Sequence, residues 1–70
     1  MNEELQILYM DARLVRLATK RWQMTRDEVV QIFRKHHIYK YVEELWGLFH
    51  VEGDEAVLCD IEEYIDGKDI

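Results

Sequence analysis

The segment EELQILYMDARLVRLATKRW, residues 3–22, carries two apolar seams where an ordinary surface helix carries one. Leu5, Leu8, Ala12, Val15 and Trp22 recur at steps of three, four or seven, the spacing that lines one side of an α-helix. Ile7, Met10, Leu14 and Leu17 form a second seam beside the first. Together they exceed the ~100° stripe of a helix that buries a single face, which leaves Arg13, Arg16 and Lys20 on a narrow polar strip. A helix of this kind needs covering on two sides, so the chain must supply other helices, a second molecule, or both.

The rest of the sequence is punctuated by helix caps. It contains no proline and no Gly/Ser-rich linker. Glu3 and Glu4 stand where a helix dipole favours anions, and Lys20 and Arg21 where it favours cations. Thr25-Arg-Asp-Glu28 has the spacing of a capping box and predicts a second helix at about residues 26–36, with Val29, Val30, Ile32 and Phe33 inward. Tyr41, Val42, Leu45, Trp46, Leu48 and Phe49 predict a third, from about Tyr39 to Phe49. Gly53 is suited to the left-handed turn that ends a helix, and Asp54 to the N-cap of a fourth. Val57, Leu58, Ile61, Tyr64 and Ile65 would be its buried stripe, and Gly67 its stop. No stretch alternates long enough to predict a strand. The expected fold is all-α, a single domain over residues 1–70 built as a bundle of about four helices with short connections.

Seventy residues support only a small core, worth ~3–5 kcal/mol, and the single cysteine, Cys59, excludes an internal disulfide. Association with another chain is the natural supplement. The start, MNEELQ, lacks the basic region of a signal peptide, and no apolar run approaches the ~20 residues of a membrane span, so the expected location is the cytoplasm, away from membranes.

The net charge of −6 is unevenly spread. Residues 1–40 hold eight Lys/Arg against five Asp/Glu, or +3, whereas residues 51–70 hold eight Asp/Glu against Lys68 alone, or −7. Opposite charges at the two ends can attract within one molecule or between neighbours. An acidic chain is a poor general ligand for nucleic acid. Residues 39–49, YKYVEELWGLF, would set Glu43 and Glu44 against phosphates if used as a DNA-reading helix, and they offer no arginine to guanine. The alternative basic face is Arg13, Arg16, Lys20 and Arg21, which would serve a small DNA-binding regulator.

Chemistry is sparsely encoded. His36 and His37 are adjacent, so on a helix they diverge by about 100° and cannot chelate one ion in the usual i, i+4 way; His50 and Cys59 could join one of them only through tertiary contact. Cys59 sits among Glu55, Asp60, Glu62 and Glu63, whose charge raises a thiol pKa, the wrong direction for a nucleophile. No phosphate-binding glycine loop is present. No catalytic residue, cofactor, metal or small-molecule substrate is expected, and the chain reads as a non-catalytic interaction module. Candidate contact residues are Leu5, Leu8, Met10, Leu14 and Leu17 on the first helix, with Trp22 and Tyr39 as aromatic anchors. His50, Asp54 and Glu55 mark a corner whose residue types suit helix capping.

Residues 39–65, YKYVEELWGLFHVEGDEAVLCDIEEYI, resemble a family of short bacterial proteins, mostly from Firmicutes, known as a domain of unknown function. The matching positions are Tyr39, Tyr41 and His50 in the helix and corner, then Glu55, Ala56, Val57, Asp60, Ile61, Tyr64 and Ile65 in the acidic helix. Phe49 stands where the family has leucine. Members are often encoded beside ADP-ribosyltransferase-like proteins, so the resemblance implies an antitoxin-like or accessory subunit of a co-encoded protein. It implies no catalytic residues.

Overall fold

The computed structural model describes residues 2–68; Met1, Asp69 of the acidic end and Ile70 lie outside the described residues. Helix α1, Glu3–Trp22, starts where the Asn2 side chain accepts a hydrogen bond from the Leu5 amide at 3.1 Å. It ends at Gln23, whose left-handed backbone (φ 53°, ψ 50°) lets its N–H reach the Thr19 carbonyl. The capping box then opens α2, Arg26–Lys35. Glu28 N–H donates to Thr25 Oγ1 at 3.2 Å, and Thr25 N–H donates to Glu28 Oε1 at 2.9 Å. The bond from the Thr25 backbone holds the Glu28 carboxyl below its ordinary pKa. Thr25→Ala removes half of this reciprocal pair and should destabilise the fold by about 1 kcal/mol, read as a lower thermal midpoint with the helical signal of the folded state unchanged.

His37, also left-handed at φ 56°, turns the chain from α2 into α3, Ile38–Glu44. A single helix was expected over residues 39–49, but it divides at Leu45 (φ −100°, ψ 15°), and α4 is one turn, Trp46–Phe49. The ladder tightens there, the Leu48 amide bonding the Leu45 carbonyl at 2.9 Å in an i→i+3 pattern. This shift in register sends Phe49 into the core and leaves Leu48 exposed, where the helical spacing had placed both inward. The last helix, α5, spans Asp54–Lys68. Gly53 has no left-handed backbone; its carbonyl instead accepts the first bond of α5, from Val57. Asp54 is accordingly the first residue of the helix and not its N-cap, and α5 continues through Gly67.

The fold is an all-α bundle of five helices, with no strand among the described residues. Helix α1 runs through the middle and packs on α2, α3 and α5. Its contribution to the core is Met10, Leu14, Val15 and Ala18. Facing them are Val29 and Phe33 of α2, Ile38 and Val42 of α3, Phe49 of α4, and Val57, Leu58 and Ile61 of α5. Aromatic rings close the layers. Phe33 lies between Trp22 and Tyr39 at centroid distances of 6.1 and 5.5 Å, and Tyr41 stacks on Tyr64 at 4.0 Å. Ile38, fully buried at the start of α3, lay outside the predicted third helix.

Candidate functional site

Intramolecular packing uses only part of the apolar arc of α1. The inward line is Ile7, Asp11, Leu14, Val15 and Ala18, at steps of three and four. Leu5, Leu8 and Tyr9 lie off that line and remain 42%, 60% and 51% exposed. The N-terminal half of α1 therefore shows an apolar ridge at helical spacing, with a groove on either side. On one side, about 320 Å³ lies between Tyr9 and Arg13 of α1 and Trp46 and His50 of the α4 corner. On the other, about 1070 Å³ lies between α1 and α3, lined by Glu3, Glu4, Ile7 and Leu8 and by Lys40 and Glu43.

Asp11 and Tyr39 form the inner end of that second groove and also wall a neighbouring one of about 400 Å³, which Arg16, Thr19 and Arg26 line. The two grooves thus carry opposite charge and meet at a carboxylate. Asp11 is only 9% exposed, and its Oδ1 is buried with no hydrogen-bond partner among the described residues. Burial, with a smaller contribution from the Glu43 carboxylate, raises its pKa from 3.8 to about 7. Tyr39 is pushed upward as well, by burial first and then by the charge of Asp11. A buried polar atom without a partner is uncommon in a folded domain and costs stability.

Residue-by-residue reading of the sequence did not single out Asp11. The signal was available: it falls on the line through Ile7, Leu14, Val15 and Ala18, so it was due to enter the core with them. The seven candidate contact residues separate into three groups. Leu5 and Leu8 are exposed and face outward, whereas Met10 and Leu14 belong to the molecule's own core at 3% and 0% exposure and are not available to another chain. Leu17 and Trp22 are partly buried against that core, and Trp22 Nε1 donates to Glu62 Oε2 at 2.7 Å; Tyr39 is partly buried but keeps its groove wall.

The basic face is partly neutralised from within. Arg13 Nε pairs with Asp54 Oδ2 at 2.8 Å and Arg21 Nη2 with Glu62 Oε1 at 3.0 Å, so α1 and the acidic α5 attract each other inside one molecule. Arg16 and Lys20 remain exposed. The corner residues are likewise engaged locally. Asp54 holds Arg13, and His50 Nδ1 lies 2.8 Å from the Trp46 carbonyl oxygen, while Glu55 is exposed. Cys59 is exposed and its sulfur accepts a hydrogen bond from Arg21 at 3.3 Å. Among the described residues no group of three His, Cys, Asp or Glu is placed to hold a metal ion, and no helix is long and apolar enough to cross a membrane.

The family model described as protein of unknown function (DUF3791) matches residues 10–68. No curated protein and no solved structure matches the chain.

Proposed function

The chain belongs to the family described as protein of unknown function (DUF3791), and from its own geometry we propose that it is a non-catalytic protein–protein interaction module. One observation carries this reading: Leu5, Leu8 and Tyr9 stand exposed on a single stretch of α1 whose opposite face is committed to the core. In water such a ridge favours contact with another apolar surface, either a protein partner or a second copy of this chain. An antitoxin-like or accessory subunit acting in the cytoplasm beside a co-encoded protein is the specific form of the proposal. The ion pairs of Arg13 and Arg21 count against the competing DNA-regulator reading, because they withdraw two of its four cations.

Leu8→Asp tests the proposal, since position 8 lies outside the core and the substitution should leave the fold intact. Wild-type protein is expected to sediment above the monomer mass or to hold a stoichiometric protein partner. Leu8→Asp should abolish that association, whereas Gln31→Glu, on the exposed side of α2, should preserve it. A wild-type monomer that retains the same proteins as Leu8→Asp would overturn the reading.

A further inference from the structure

We propose that the groove between α1 and α3 receives a cationic side chain, arginine or lysine, from an amphipathic segment of a partner protein, and that Asp11 is its anchor. The inference rests on the interaction reading above and names the chemistry of the partner. Its first support is Asp11 itself, a residue about nine-tenths buried that lines both grooves and whose Oδ1 has no donor among the described residues. Its second is charge. Glu3, Glu4 and Glu43 join Asp11 around that groove, and among the described residues Lys40 is the single cation lining it. The third is shape: Ile7 lines the same wall, and Leu8 and Leu5 extend the apolar surface along α1 beyond the reach of a small amine.

A donor reaching Asp11 would meet a site already desolvated, where a charge-assisted hydrogen bond is stronger than at the open surface. Arginine suits the position better than lysine, because a guanidinium sheds water more readily and its flat face can lie against the Tyr39 ring. The aliphatic stem would rest on Ile7 and Leu8 while neighbouring apolar residues cover Leu5. The intramolecular alternative is that Arg16 or Arg26, from the adjoining groove, swings across to Asp11 in solution. A second copy of this chain is the remaining occupant.

The experiment titrates the full chain, labelled with nitrogen-15, with the peptide acetyl-Leu-Arg-Leu-amide and with its citrulline counterpart, which keeps the shape and removes the charge. The arginine peptide should move the amide signals of Ile7, Leu8, Asp11 and Tyr39 and bind about tenfold more tightly than the citrulline peptide. Asp11→Asn should erase that preference while its spectrum remains that of a folded protein. Equal binding of the two peptides, a preference that survives Asp11→Asn, or no binding by either overturns the inference. A low measured pKa for Asp11 in the free protein does so too, because it would show Arg16 or Arg26 already in place, and a mass twice the monomer's that Asp11→Asn abolishes would give the groove to a second copy. The two proposals fail separately. Loss of association in Leu8→Asp without any arginine preference leaves the interaction module standing, and arginine preference without an effect of Leu8→Asp on association leaves only the groove.

Discussion

Leu14→Asp should leave the chain unfolded at room temperature, with a far-ultraviolet dichroism spectrum that has lost its helical bands and amide signals collapsed to the unfolded range. Leu14 has no exposed surface and sits on the middle helix, in one buried cluster with residues of α2, α3, α4 and α5. Replacement removes the transfer energy and packing of a leucine, about 2–5 kcal/mol by itself, and adds a carboxylate that must be desolvated or protonated. The entire stability of a core this small is ~3–5 kcal/mol. The loss therefore matches or exceeds what holds the fold. Leu8→Asp introduces the same side chain less than two helical turns away, on the exposed ridge, and should remain folded. A folded Leu14→Asp protein would show that Met10 and Leu14 are not the core.

Asp11→Asn should have the opposite sign. The native protein already carries a buried carboxylate one turn before Leu14, and its removal as a charge is expected to stabilise the free molecule at pH 8 by roughly 2–4 kcal/mol. The sign follows from proton binding. The folded pKa of Asp11 is about 7 against an ordinary value of 3.8, so between those limits the folded state holds the proton more tightly. The stability that the wild-type fold keeps by holding this proton is complete below about pH 4 and is lost as the pH rises through about 7. Wild-type protein should therefore lose stability across that window relative to Asp11→Asn, and the two should converge near pH 4. Glu3, Glu4 and Arg16 on α1, Arg26 on α2, and Tyr39, Lys40 and Glu43 on α3 line the same grooves and are present in both proteins, so the difference between the two curves isolates Asp11. Chemical denaturation at a series of pH values measures it. Parallel curves, with no convergence at low pH, would refute the burial of an unpartnered carboxylate.

These two positions also show how far local pattern reaches. Helical spacing sets Asp11 on the same side of α1 as Leu14, yet neither apolar seam of the sequence includes it, and a wide apolar arc does not say which seam becomes the core. Packing against α2, α3 and α5 chose the line through Ile7, Leu14 and Ala18, and it carried Asp11 inward with it while Leu5 and Leu8 stayed in solvent. The charge imbalance was legible as +3 against −7, but its use was open between molecules or within one; the crossing of α1 and α5 brought Arg13 to Asp54 and Arg21 to Glu62.

The sequence by itself determined the all-α fold, the limits of α1 at Glu3 and Trp22, and the start of α2 at Arg26 behind the Thr25 cap. Those features are local: a cap or a dipole partner acts through residues three or four positions apart, and its energy does not depend on what packs elsewhere. The tertiary structure alone decided the division at Leu45, the exposure of Leu48, the internal use of Met10, and the meeting of an acidic and a basic groove at Asp11. Each depends on how helices distant in sequence cross, because burial and desolvation are properties of the assembled surface and not of the segment that contributes to it.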